Sequence, residues 1–451
     1  MFDIIGKLRG DKTIWAIVFL LALVSFLPVY SASTNLVYVV GNGTTIGHLF
    51  KHAVHVLLGF GIIYWIHKMP YHYFKALSIF GIPLVVLLLV YTLFKGTEIG
   101  GANASRWIQI PFVGVSFQTS TLAFIILMVY VARYLAKVSD KEYSFKESFL
   151  ELWIPVGAVL ALILPANFST TALIFAMICM LIFIGQYPLK YLGIVLAMGF
   201  SALLLFILLG KAFPDNKYFN RVNTWEKRIE RFTKDTPNED DYQIEKAKIA
   251  IASGGVIGLG AGKSVQKNFL PQSSSDFIFA IIVEEWGLVG AVTIIGLYLL
   301  LLIRFVINAQ KATSLFGKLL IIGLGFPIIF QAFVNMGVAV ELLPVTGQPL
   351  PLISSGGTSI WMTCIAVGII LSVTKKEEEV ALDLEEKRKR DEALQQIIDA
   401  QVALNEEKDA DENQQKINDI KSSIRESLIE DENGDVLVNG QNPMNAVLNK
   451  K

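Results

Sequence analysis

Long apolar blocks separated by short polar connections run from about residue 13 to about 374. A helix rises about 1.5 Å per residue, so about 20 apolar residues cross the hydrocarbon core of a bilayer. Ten segments fit that length, at about 13–31, 47–67, 72–94, 118–136, 149–165, 168–185, 189–210, 277–306, 315–340 and 357–374. The pattern predicts an all-α, polytopic helical membrane protein with about ten transmembrane helices. A large polar loop at about 211–276, with mixed charges and a glycine-rich return, separates helices 7 and 8. Beyond about 375 the apolar positions thin out to Val380, Leu384, Leu394, Ile397 and Ile398 in a charged stretch. This divides the chain into a membrane domain, 1–375, and a charged tail, 376–451, helical and then disordered from near Asn433.

Composition supports this class. The chain is 53% hydrophobic and 17% charged with a mean hydropathy of +0.53, unlike a set of soluble domains. The net charge of +0 leaves no nucleic-acid footprint. Cys179 and Cys364 both fall in apolar segments, so no disulfide or metal framework is expected. Ser31-Ala32-Ser33 follows the first apolar run, but that run has the length of a retained span rather than of a signal peptide. Lysines and arginines mark one side of the membrane: Lys7, Arg9 and Lys12, Lys68 and Lys75, Arg133 to Lys146, Lys190, Arg304 to Lys318, then Lys375 and Lys376. The positive-inside rule puts both termini in the cytoplasm and the long loop outside.

The stretch Lys263–Gly287, KSVQKNFLPQSSSDFIFAIIVEEWG, draws the chemistry together. A turn-rich loop delivers Asp276 to the mouth of an apolar helix, and Glu284 and Glu285 follow roughly 12–14 Å deeper. Carboxylates in an apolar segment are costly unless solvated or paired, and so are functional candidates. Asp276 would act on a lipid-borne substrate where outer water meets lipid. Ser273-x-x-Asp276 equally fits a capping box that only satisfies backbone N–H groups. Glu284 and Glu285 diverge by about 100°, so one at most faces the Asp276 cavity. Ser105-Arg106-Trp107 reads as a phosphate- and sugar-binding pair or as an interfacial anchor. Gln331 and Asn335 share a helix face and either line a cavity or bond a neighbour. The run Ile251–Ser264 ends in Gly262-Lys263-Ser264, yet Ile257 stands where a phosphate loop requires glycine, which excludes that motif. Its glycines instead allow close packing or tight re-entry. His52, His55, His67 and His72 lack metal-ligand spacing and read as packing residues.

Four segments together resemble the SEDS family (shape, elongation, division and sporulation): GANASRWIQIPFVGVSFQTS, IAIASGGVIGLGAGKSVQKNFLPQSSSDFIFAIIVEEWGLVG, the Gln331/Asn335 helix, and LLPVTGQPLPLISSGGTS. The GKSVQK run is similar to the division branch more than to the elongation branch. The resemblance implies a peptidoglycan glycosyltransferase that polymerises lipid II at the outer face of the cytoplasmic (inner) membrane. It places the family's essential aspartate on Asp276, its tryptophan and arginine on Trp107 and Arg106, and its serine-glycine signature on Ser354 to Ser359. Ser354 and Ser355 would then contact substrate. It also implies a class B penicillin-binding transpeptidase and other divisome proteins as partners.

Transfer to a sugar hydroxyl calls for one carboxylate base within hydrogen-bond reach. The diphosphate leaving group calls for cations from Arg106, Lys263, Lys267 or a divalent Mg or Mn ion. Glu284 and Glu285 would support that site. The chain departs from the family pattern at Thr121 and Phe124, where an acidic and a basic residue are usual, at Asn167 in place of an acid, and at Glu341 in place of a small residue. The alternatives are an elongation polymerase, or a lipid II flippase that moves the substrate without polymerising it.

Overall fold

A computed structural model describes residues 8–38, 43–97, 107–109, 116–139, 141, 143–212, 239–270, 272–430 and 436–438. Each of the ten predicted segments is helical. In order these are α1 (Lys12–Tyr38), α2 (Thr45–Ile66), α3 (Tyr73–Lys95), α4 (Thr119–Val138), a broken fifth segment, α7 (Phe168–Ile184) and α8 (Leu189–Ala212). After the long loop comes α9 (Glu239–Gly254), followed by α10 (Ile278–Lys311), α11 (Leu315–Ala339) and α12 (Thr358–Ser427). Eight of these are long and apolar enough to cross a membrane, while α7 is a shorter apolar helix.

The fifth segment is interrupted for a local reason. It comprises α5 (Phe145–Ser148), a π-turn (Phe149–Trp153) and α6 (Ile154–Ile163), with a proline in the first turn of α6. Pro155 carries no N–H and cannot bond the carbonyl four residues back, that of Glu151. The Tyr130 hydroxyl donates to that carbonyl at 2.5 Å, so the lost bond is replaced from α4.

α10 is broken as well. Gly287 has φ 63 and ψ −159 inside it, which interrupts the helical ladder. The segment after α9 fills the gap. Leu259 N–H donates to Glu284 O at 3.0 Å and Gly260 N–H to Glu285 O at 2.9 Å, while Leu288 N–H donates to Gly255 O at 2.9 Å. Irregular backbone persists at membrane depth only where such partners exist. Glycine is required for the approach: a Cβ on Gly258 would lie 2.2 Å from Glu285 O, and one on Gly287 2.4 Å from Val256 O.

At the opposite end of the bundle the segment before α1 clasps two later helices. Asp11 accepts from Thr13 N and Ile14 N, capping α1. Its other carboxylate oxygen accepts from both Arg304 and Asn308 of α10. Gly10 N–H donates to Glu378 at 2.8 Å, and Asp11 N–H to the Thr374 hydroxyl at 3.1 Å, both on α12. Burial raises the Asp11 carboxyl, but the hydrogen bonds from Asn308 and Arg304 outweigh it and hold the group below its ordinary value.

The chain divides into two compact units, Met1–Glu378 and Glu379–Lys451. The second continues α12 and ends in an antiparallel pair, β3 (Leu428–Glu430) with β4 (Val436–Val438). β4 falls within the stretch from Asn433 that the sequence reading expects to be disordered, with Val-Leu-Val at 436–438 facing Leu-Ile-Glu of β3. The rest of that stretch lies outside the described residues.

Candidate active site

Asp276 lies near the end of the turns at 272–277 that lead into α10. The helix starts at Ile278, with Phe277 in the capping position and no side-chain cap hydrogen bond. A Ser273/Asp276 capping box would start the helix near residue 274, so that reading is excluded. Apolar anchors hold the loop at both ends. Leu270 and Phe277 are buried in a small cluster with Ile244, Ala247 and Ala250 of α9 and with Val334 and Val338 of α11. Asp276 itself is half-buried.

The 341–356 loop forms the other wall. The Asn335 amide donates to Asp276 O at 2.7 Å and to Gln348 O at 2.8 Å, joining the two loops through one side chain. Gln331, one helical turn away, donates to Pro349 O at 2.9 Å. Ser354 is buried, accepts from Leu350 N at 2.8 Å and donates to Ser275 O at 2.5 Å. Ser355 N–H donates to Ser274 O at 2.9 Å while its side chain stays exposed. Gly347, at φ +68, presents its bare Cα to the carboxylate: a Cβ there would lie 3.6 Å from Asp276 Oδ2. Asp276 is thus carried by two loops that bond to each other chiefly through backbone carbonyls.

Glu284 and Glu285 are both 1% exposed and both turn toward the glycine-rich segment. Glu284 accepts from the Ser264 hydroxyl, from Val265 N at 3.0 Å and from Gln266 N at 3.2 Å. Glu285 accepts from the Ser31 hydroxyl of α1 and from Ser264 N at 3.4 Å. Lys267 reaches Ser31 Oγ at 3.2 Å and Gly262 O at 2.7 Å, while Lys263 is exposed beside Gly260. These carboxylates fasten the segment that fills the α10 break, and the hydrogen bonds described for them go to that segment and to Ser31 of α1.

Trp107 sits in a short strand pair, β1 (Trp107–Gln109) with β2 (Ser116–Gln118), and its carbonyl accepts from Thr97 N at 2.9 Å. Arg106 lies outside the described residues. Thr358 ties the start of α12 to this pair by donating to Ser116 O at 3.1 Å. A cavity of about 60 Å³ lies between α4, α11 and α12, lined by Thr121, Phe124, Met128, Pro327, Gln331 and Thr363. The residues that depart from the family pattern at 121 and 124 thus line the same cavity as Gln331. Glu341 has φ 62 and pairs with Lys248 of α9 at 2.6 Å. Among the described residues no group of three or more His, Cys, Asp or Glu could hold a metal ion. A Mg or Mn ion at Asp276 would therefore take most of its ligands from substrate phosphates and water, as Mg commonly does.

The residues that sequence reading passed over are Gly347, Gln348, Ser264 and Ser31. Gly347 and Gln348 carried a signal in the Thr-Gly-Gln-Pro spacing, which marks a turn. Ser31 carried none, because its partner is 254 residues away.

The family model for FtsW, RodA and SpoVE, described as cell cycle protein, matches residues 11–379. A probable peptidoglycan glycosyltransferase FtsW of Geobacter sulfurreducens is 34% identical over 337 residues, 73% of this chain and 85% of that protein. One from Nitrosomonas europaea is 31% identical over 380 residues, covering 80% and 92%. Among solved structures, a chain described under "Structural coordination of polymerization and crosslinking by a peptidoglycan synthase complex" aligns with TM-score 0.63 at 24% identity, covering 82% of this chain and 98% of that one. The rod shape determining protein RodA of Thermus thermophilus aligns with TM-score 0.59 at 23% identity, covering 82% and 99%. At that identity the structural likeness speaks for the fold.

Proposed function

This chain belongs to the SEDS family of cell cycle proteins, and on that premise we propose that Asp276 is the general base of its glycosyl transfer. The protein is a peptidoglycan glycosyltransferase of cell division. Its substrate is read as lipid II, a disaccharide peptide on undecaprenyl diphosphate, met at the outer face of the membrane with both termini in the cytoplasm. A complex with a class B penicillin-binding transpeptidase fits the neighbour described as a peptidoglycan synthase complex.

The observation that carries the role of Asp276 is its mounting. A half-buried carboxylate is held by Asn335, Ser354 and Ser355 through the backbone of its own loop. Those three bonds fix the backbone of the loop, so α11 and the turn before α12 set the point from which the carboxylate projects. In the reaction the acceptor sugar hydroxyl attacks the anomeric carbon of the strand. Its proton passes to Asp276, a new C–O bond forms, and the bond to the diphosphate breaks with the electron pair leaving on the phosphate oxygen. The diphosphate departs as a stable anion, so no general acid is needed. Cationic stabilisation of that anion is assigned to Arg106, Lys263 and Lys267, with Trp107 packing on the sugar or lipid. Gln331, Asn335 and Ser354 act by positioning loops.

The test is purified protein with its transpeptidase partner, given labelled lipid II. Wild type yields glycan polymer, and Asp276→Asn loses it by about 100-fold or more, within the range for removing a general base. Polymer from Asp276→Asn at wild-type rate, or headgroup translocation in liposomes without polymer, would overturn the assignment.

A further inference from the structure

His55 of α2 is 5% exposed and lies against the turn that fastens the Asp276 loop. Its ring stacks on Trp361 of α12, with centroids 5.3 Å apart and planes 25° apart, and the Trp361 indole N–H donates to His55 O at 3.1 Å. Nδ1 lies 2.6 Å from Lys51 O, a carbonyl that only accepts, so Nδ1 carries the proton. Nε2 of the neutral ring is then a bare acceptor. It is buried and has no hydrogen-bond partner among the described residues. It faces Gly357, lying 3.7 Å from where a Cβ would sit, and Gly357 has φ +51 in the turn that opens α12. On its other side the same turn is bonded to the catalytic loop, through Ser354 to Ser275 O and through Ser355 N–H to Ser274 O.

A packing residue does not account for this arrangement. Phenylalanine would stack on Trp361 equally well without a buried, unsatisfied nitrogen, which costs about 1–3 kcal/mol. Leaving an acceptor there is reasonable if the turn uses it when the site is engaged. We propose that His55 is a positioning residue for glycosyl transfer: once the site is engaged, its Nε2 accepts a hydrogen bond from the Ser354–Gly357 turn and so sets that turn and, through it, the Asp276 loop. This rests on the reading of Asp276 as the base. A displacement of that loop by about 1 Å is enough to cost on the order of 100-fold in rate.

The test compares His55→Phe, which keeps the aromatic stack, with His55→Gln, whose amide oxygen reaches the Nε2 position. Full-length protein with its transpeptidase partner is assayed on labelled lipid II, with Asp276→Asn alongside. His55→Phe should lower kcat at least about tenfold with KM within about twofold and a melting temperature no lower than that of wild type. His55→Gln should recover about half or more of the lost activity on a logarithmic scale. Combined with Ser354→Ala, His55→Phe should cost less than the sum of the two single losses, because both act through one turn. Wild-type kcat in His55→Phe, no recovery in His55→Gln, or additive losses with Ser354→Ala would each overturn the proposal. Polymer from Asp276→Asn would instead sink the base assignment, so the two failures are told apart.

Discussion

Asn335 shows how much one side chain can decide. Its amide N–H₂ serves two carbonyls at once, Asp276 O and Gln348 O, at the seam between the two loops of the site. Asn335→Ala removes both bonds at a buried position, and we expect at least about a tenfold loss of polymerisation, read as kcat, with a fall in stability of about 1–3 kcal/mol. Asn335→Asp keeps the shape but no longer donates, and should lose as much. Glu284 contrasts with this. It accepts from a hydroxyl and two backbone N–H groups, so Glu284→Gln should lower stability by about 2 kcal/mol, seen as a lower melting temperature. That Asp276 and Glu284 are special was legible in the sequence, since both are carboxylates in or beside apolar runs. Their different duties were not, because the partners of Glu284 come from a loop about 20 residues earlier, folded back into a helix break.

The broken helix α10 is the element on which the half of the membrane unit around Asp276 turns. Its missing bonds at Gly287 are supplied by the segment that begins at Gly254. Backbone lies on both sides of these glycines, so neither neighbour can yield to a side chain. Gly258→Ala and Gly287→Ala should each cost more than about 3 kcal/mol and abolish folded protein, as monitored by size-exclusion in detergent. Gly296→Ala, in the same helix with nothing within 4 Å of an added Cβ, is the control, and should be neutral or stabilising by up to about 1 kcal/mol. Glycine density announced close packing in the sequence. The break it serves was hidden, because the run from Ile278, apolar apart from Glu284 and Glu285, is long enough to read as one continuous span.

The whole membrane unit is closed at its other end by Asp11, which ties the start of α1 to Arg304 and Asn308. Asp11→Asn retains the helix cap but loses the charge, and should lower the melting temperature near neutral pH. The Asp11 carboxyl is held below its ordinary value of 3.8, so its contribution is complete above that pH and is lost as pH falls through the lower folded value. The gap between wild type and Asp11→Asn should therefore stay constant from about pH 5 to 8 and close below about pH 4. The second unit holds none of the residues assigned to the site, and truncation after Glu385 should leave polymerisation within about twofold. Hydrophobic period and block length by themselves determined the class and the ten helical segments, and the order of residues put a carboxylate just before the eighth. They do so because a bilayer imposes span length on sequence locally. Only the tertiary structure decided which polar groups meet. Asp276 with Asn335, Glu285 with Ser31, and His55 with Gly357 are joined across 59, 254 and roughly 300 residues, distances over which no local pattern carries information.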